Sequence, residues 1–351
     1  MLTRSFCDTL QVRIRTARRI GRGNKKDDTM PVRVGFIGSG GIANHHMRTM
    51  AGKPDAEMVA FSDPDVDRAR AAAKQYGGKA FASYRTMLSK VELDAVFICI
   101  PPFAHRDQER LAVEAGCAIF TEKPIGLNLR RVAQNAELIA KKGVISSVGY
   151  NWRYSDGGQG AKRVMAGRKI IIGNGWWIGG TPGVMWWRQM AQSGGQVVEQ
   201  TTHIFDLLRY LVGDIETVFA SGMGGTVSQD EMPKYDVHDA SVVQLRYKSG
   251  AVGNVTSSCV VSQGYGAAVE VFARDLVATV ADSRLKVTVP GKEEITRDKV
   301  NPTVAEHQAF FAAVLKKQGP PILSPYADAA ETLRVTLAAN RSMATGKPVK
   351  V

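Results

Sequence analysis

The 351-residue sequence is poor in cysteine. Its four cysteines, Cys7, Cys99, Cys117 and Cys259, are scattered and form no CxxC. That spacing excludes a structural zinc ribbon and a disulfide framework, and it fits a reducing, cytoplasmic setting. No apolar run approaches the ~18–20 residues of a membrane span. The chain also lacks internal repeats and low-complexity tracts. Aromatic residues make up 7%, and they do not interleave with basic residues in the manner of a nucleic-acid-binding module. The net charge of +13 therefore does not indicate a nucleic-acid partner. Part of it is local: residues 1–29 hold eight basic against three acidic side chains. A moderately basic remainder suits a ligand that carries phosphates.

Residues 1–30 do not read as the start of a fold. Arg18 and Arg19 resemble a twin-arginine pair, but "IGRGNKKDD" follows with no apolar core, so an export signal is not supported. The segment is expected to be a disordered extension or a misassigned start, with Met30 as the true beginning.

From residue 31 the pattern is regular. "VRVGFI", "EMVAFS", "LDAVFICI", "CAIFTE" and "VISSVGY" read as strands separated by helical stretches. The run "LDAVFICI" is almost continuously apolar, as in a strand covered on both faces. Such alternation over residues 31–150 predicts a doubly wound parallel sheet of the Rossmann type. After Tyr150 the style changes to strands joined by short turns. Residues 151–325 are expected to form an α+β unit with a large, mostly antiparallel, open-faced sheet, interrupted by one amphipathic helix near 196–212. Helical patterns close the chain around 305–317 and 326–345, and residues 326–351 are expected to pack back on the first unit.

The stretch "VRVGFIGSGGIANHHM" runs from Val32 to Met47 and contains Gly38-Ser39-Gly40-Gly41-Ile42-Ala43. This matches GxGxxA, a variant of the dinucleotide fingerprint. Gly38 permits the tight turn, Gly40 lets the backbone approach a pyrophosphate, and Ala43 allows close helix–strand packing. The helix start then offers free N–H groups to the phosphates. The second strand ends in Asp63, 25 residues after Gly38, where a carboxylate can bind ribose hydroxyls; this favours NAD over NADP. Asp63 also sits in the turn-forming stretch "SDPD".

Alcohol oxidation needs a group that handles the hydroxyl proton and a cation that steadies charge on oxygen. Of six histidines, His45 and His46 are expected on the surface or in packing, and His238 and His307 have no evident partner. His105 follows "IPPFA" at a strand end. His203 lies four residues after Glu199, on one face if the helix is continuous, with Asp206 and Tyr210 extending a polar stripe. That stripe is also what a solvated helix face looks like. Lys123, in "IFTEKPIG", falls just past a strand's carboxyl end, where ligands bind in such sheets.

Together "GFIGSGGIA", "CIPPFAH", "EKP", "GYNWRY", "WWR" and "GGQVVEQTTHIFDLLRYLVGD" resemble the glucose–fructose oxidoreductase / inositol dehydrogenase / MocA (Gfo/Idh/MocA) family, and the resemblance continues to the closing "SPYADAAETLRVTLAANRSMATGKPV". It implies a catalytic Lys123, a proton-transferring His203, and Glu199 where the family often has Asp, orienting His203. It implies a cofactor surface of Gly38, Ser39, Gly40, Gly41, Ile42, Asp63, Ile100, Pro101, Pro102, His105, Glu122, Lys123, Arg153, Trp187 and Arg188. Substrate would meet Lys123, Asn151, Trp186, Glu199 and His203. No metal is called for. The expected activity is hydride transfer between NAD and a hydroxyl carbon of a sugar or polyol. The alternatives are NAD-dependent glycoside cleavage on the same fold and a non-catalytic NAD sensor. The sheet is expected to carry a homodimer or homotetramer interface.

Overall fold

In the computed structural model, which describes residues 30–351 apart from Asp282, six short strands form a parallel sheet: β1 (Val32–Ile37), β2 (Ala56–Ser62), β3 (Lys79–Phe81), β4 (Ala95–Ile98), β5 (Ala118–Thr121) and β6 (Ser146–Val148). The order is β3-β2-β1-β4-β5-β6. The chain thus reverses direction across the sheet between β1 and β4, and the crevice at their carboxyl ends is the natural ligand site. Strands β4 and β5 are buried throughout, which explains the unbroken apolar sequence of β4 and the near-apolar one of β5. Each helix of this half stops for a local reason. The helix Leu129–Lys142, for example, is capped by Asn128 accepting from the Arg131 N–H and ends at the left-handed Gly143. The expectation for residues 1–29 lies outside the described residues.

The second sheet has nine strands: β7 (Ile170–Ile178), β8 (Ile215–Met223), β9 (Ala240–Tyr247), β10 (Val252–Ser258), β11 (Gly266–Ala273), β12 (Val277–Ala281), β13 (Arg284–Val289), β14 (Lys292–Arg297) and β15 (Val349–Lys350). Their order is β14-β13-β12-β11-β7-β10-β9-β8-β15, with β7 and β10 the one parallel pair. Burial alternates strictly along β9, so one face is buried and the other open. The open face shows Ile171, Phe219, Val242, Val252 and Ile295.

Two sequence expectations change here. The amphipathic stretch near 196–212 is two helices, Gly195–Glu199 and Thr202–Val212, broken at Gln200 and Thr201. The helix Pro302–Val314, expected within the second unit, buries Phe310 and Phe311 among Phe36, Phe97 and Phe120 of the first sheet. The closing helix Tyr326–Thr345 serves both sheets. Tyr326, Ala329 and Leu333 enter the core of the first, and Val335, Ala338 and Ala339 that of the second. From Pro31 to Val351 the chain is one compact unit.

A buried charge cluster locks this arrangement. The Arg153 guanidinium donates from Nε and Nη2 to both oxygens of Asp206, at 2.7 and 2.6 Å. It also donates to the Leu323 carbonyl at 2.7 Å and lies 2.6 Å from Asp328. Arg209 donates to the Asp328 carbonyl and to Thr332, both at 2.9 Å. Three segments distant in sequence are thereby tied: residues 151–154, the helix Thr202–Val212 and the closing helix. Arg153→Met strands the buried Asp206 carboxylate and is expected to cost about 3–5 kcal/mol of unfolding free energy. Urea denaturation measures it, with Arg70→Met, at the exposed pair with Asp67, as a control of little effect. Equal midpoints for the two variants would contradict the cluster's structural role.

Candidate active site

The glycine turn follows from hard contacts. Gly38 has φ +91, and a Cβ there would meet the Cys99 carbonyl oxygen at 2.2 Å. Only glycine fits between β1 and the end of β4. At Gly40 and Gly41 the opposite holds, since a Cβ on either meets nothing within 4 Å. These two residues leave an open cradle at the start of the helix Gly41–Met50, whose first N–H groups have no helical partner. Asp63, at the end of β2, accepts from the Ser39 N–H and the Asp65 N–H, both at 2.9 Å. It thus fastens the turn as well as facing the cavity.

That cavity measures about 740 Å³ and runs along the carboxyl ends of the first sheet, within the range of about 300–1,000 Å³ usual for ligand sites. Gly38, Gly40, Gly41, Ile42 and Asp63 line one end. Ile100, Pro101 and Pro102 line the middle, and Glu122, Lys123, Trp186 and Glu199 line the other end. The open glycine cradle, the helix start and the acidic strand end fit a dinucleotide with its phosphates at the turn. Sequence reading missed Arg68, Tyr84 and Phe103 on this wall. Arg68 pairs with Asp65 at 3.1 Å. Phe103 sits inside the quoted "CIPPFAH", so that motif could have flagged it, whereas Arg68 and Tyr84 belong to no motif and only the fold brings them there.

At the far end the Lys123 ammonium donates to the Glu199 carbonyl at 2.8 Å and to its Oε1 at 3.1 Å. Glu199 Oε2 accepts from the Trp187 indole at 2.6 Å. This corrects the expectation that Glu199 orients His203. The break at Gln200–Thr201 turns the two residues apart, and the carboxylate is consumed by Lys123 and Trp187. His203 is held instead by rings. Trp152 and Trp177 lie nearly parallel to it at 6.2 and 5.9 Å, and Tyr150 meets it edge-on at 6.0 Å. Its Nδ1 is buried without a partner among the described residues. Burial, and secondarily the Lys123 charge, hold the imidazole well below its ordinary pKa of 6.5, so it is a neutral base near pH 7.

Several expected cofactor and substrate contacts are not on the cavity lining, His203 among them. Arg153 is committed to the Asp206 cluster. His105 is buried against Glu109 at 2.5 Å. Trp187 is buried behind Glu199, and Arg188 and Asn151 do not line the cavity. The Ser39 side chain is buried; only its backbone N–H serves the turn, through Asp63. Arg153, His105 and Trp187 are competent residue types that the fold buries. His46, expected on the surface or in packing, is buried at 1% exposure in a polar cluster with Glu122 and His307. None of the helices in the described residues is long and apolar enough to cross a membrane.

A Rossmann sheet with a glycine cradle, and a lysine–carboxylate pair at the opposite end of one cavity, define an NAD-binding oxidoreductase. Residues 32–150 match the model of the oxidoreductase family with an NAD-binding Rossmann fold. Residues 169–276 match the GFO/IDH/MocA C-terminal domain. The chain is 30% identical over 253 residues to myo-inositol 2-dehydrogenase of Thermotoga maritima, covering 69% of this chain and 72% of that one. It is 28% identical over 335 residues to scyllo-inositol 2-dehydrogenase (NAD(+)) of Bacillus subtilis, covering 91% and 96%. A solved structure of levoglucosan dehydrogenase in complex with NADH shares the fold with a TM-score of 0.80 at 20% identity, over 92% of this chain and 99% of that one. The chain belongs to the Gfo/Idh/MocA oxidoreductase family.

Two glycine substitutions separate fold from ligand. Gly38→Ala should destabilise the apo protein, because its Cβ strikes backbone. Gly40→Val should leave apo thermal stability nearly unchanged and weaken NAD⁺ binding about tenfold or more by filling the cradle. Differential scanning fluorimetry and calorimetric titration check both. Unchanged NAD⁺ affinity in Gly40→Val would move the cofactor off this turn.

Proposed function

We propose that this protein is a dehydrogenase that oxidises a ring hydroxyl of a cyclic polyol or sugar. NAD⁺, when bound, supplies the hydride acceptor. The observation that carries the reading is Lys123. An ammonium has three N–H donors, and two are spent on Glu199. The third is left for a substrate oxygen at the cavity end that Lys123 lines. Because Glu199 is itself fixed by Trp187, the cation is preorganised and need not be recruited during the reaction. The neutral His203 imidazole takes the hydroxyl proton as hydride leaves the carbon. A depressed pKa keeps it free to do so at neutral pH.

The ring preference draws support from Trp186 on the cavity wall, since aromatic faces pack against the C–H faces of a ring. The inositol dehydrogenases among its relatives point the same way. The open face of the second sheet is our candidate assembly surface, and light scattering of the purified protein is its check.

NADH absorbance with a panel of inositols, sugars and anhydrosugars tests the proposal. It should rise with at least one cyclic polyol or sugar. Bound NAD⁺ with no NADH from any member would overturn it. Lys123→Met and His203→Ala should each lower kcat about 10²- to 10⁴-fold while NAD⁺ affinity changes only a few-fold. Near-normal turnover in both would remove these roles. The pH profile follows from the sign of the shift. His203 accepts a proton only above its folded pKa, which is depressed, so the acid limb of kcat/KM for oxidation should lie below pH 6.5. An acid limb above pH 7 that disappears in His203→Ala would contradict the assignment.

A further inference from the structure

Behind Glu122, out of the cavity, lies a chain of polar groups sealed in aromatic packing. Glu122 stands just past β5 and accepts the Lys123 backbone N–H on Oε2 at 3.0 Å. Its Oε1 is 2.6 Å from His46 Nε2. His46 Nδ1 is 2.8 Å from His307 Nε2, with the rings 5.0 Å apart and nearly parallel. His46 comes from the helix Gly41–Met50 and His307 from the helix Pro302–Val314. Phe97 and Phe120 pack against both rings. His307 Nδ1 and Glu306 Oε2 are buried and have no partner among the described residues.

Donor atoms of His46, His307 and Glu306 lie within 4.8 Å of one another, a spacing a metal ion could use. The imidazole contact argues for a hydrogen bond instead. Two nitrogens on one tetrahedral zinc stand about 3.3 Å apart, farther than the 2.8 Å seen.

A chain of neutral imidazoles has two polarities. If the donors point away from Glu122, the carboxyl is protonated and the chain ends in a buried His307 N–H with no acceptor. If they point towards Glu122, the carboxylate is ionised and the chain ends in a bare lone pair on His307 Nδ1. A buried orphan N–H is the rarer and costlier ending. The backbone N–H on Oε2 also favours an acceptor. Burial, with the Glu122 charge second, raises Glu306 well above its ordinary range, and burial lowers His307 well below its own. The cost of the orphan N–H and the backbone contact on Oε2 point to donors directed towards Glu122.

We propose that His46 and His307 are positioning residues that fix Glu122 as an ionised, immobile carboxylate on the cavity wall, and that this charge biases the site towards the oxidised cofactor. With the phosphates at the glycine turn and ribose at Asp63, the nicotinamide half extends towards Glu122 and Lys123. The nicotinamide ring of NAD⁺ carries a positive charge that NADH lacks. A fixed anion beside it therefore discriminates between the two. The inference rests on NAD filling this cavity and not on any substrate.

The test is the ratio of the NAD⁺ and NADH dissociation constants, measured by titration of each cofactor in the absence of substrate. Glu122→Gln removes the charge and should raise Kd(NAD⁺)/Kd(NADH) about tenfold. His307→Phe removes the donor to His46. The His46 ring then loses the contact that holds its plane, and Glu122 loses its fixed place beside the nicotinamide, so the ratio should rise several-fold. His307→Gln restores an N–H donor and should return the ratio to within about twofold of the wild type. A merely structural role would weaken both cofactors together and leave the ratio alone. An unchanged ratio in Glu122→Gln overturns the charge bias. An unchanged ratio in His307→Phe, or no recovery in His307→Gln, overturns the imidazole chain. None of these outcomes bears on the dehydrogenase reading, which stands or falls on NADH formation.

Discussion

The guanidinium of Arg153 is the point on which the two sheets depend. Removed from water, it needs nearly all of its donors satisfied, and it finds them on Asp206, Asp328 and the Leu323 carbonyl. Those groups come from segments far apart in the chain. Satisfying one buried cation therefore fixes where the helix Thr202–Val212 lies against the closing helix. That helix carries His203, and Glu199 stands just before it. The reach of Glu199 to Lys123 across 76 residues of sequence is thus set by an ion cluster that lies off the cavity lining.

The cavity itself divides its labour by chemistry. One end is backbone: glycine N–H groups, an open cradle and a helix start, all suited to phosphate. The other end is side chain: an ammonium with one donor to spare and a carboxylate locked in place. Acidic and basic side chains alternate along this end in the order Glu122, Lys123 and Glu199. The two acids are held by groups outside the cavity, His46 behind Glu122 and Trp187 behind Glu199, and Glu199 in turn holds Lys123. Electrostatic preorganisation of this kind requires little rearrangement when charge develops.

His46 and His307 show how poorly burial of polar groups is signalled. Adjacent histidines in "NHHM" look alike, yet His46 is fully buried and His45 is not. The helix phase separates them, and the partner that makes burial tolerable, His307, comes 261 residues later. Arg153 and His105 teach the same lesson from the other side. Both are residue types suited to a ligand, and both are turned inward onto a buried carboxylate.

Sequence alone determined the elements governed by local rules. The strand–helix alternation, the need for glycine at Gly38, the acidic end of β2 and the placement of Lys123 past a strand end follow from periodicity and backbone sterics, which act over a few residues. The resemblance to a known family was readable in the same short motifs. Only the tertiary structure decided how distant groups pair. It broke the helix between Glu199 and His203, gave Glu199 to Lys123, withdrew Arg153 and His105 from the cavity, and sent the Phe310–Phe311 helix back to the first sheet. The physical reason is that a charge or an aromatic ring taken out of water must find its partner anywhere the fold supplies one, and the order of residues does not say where that is.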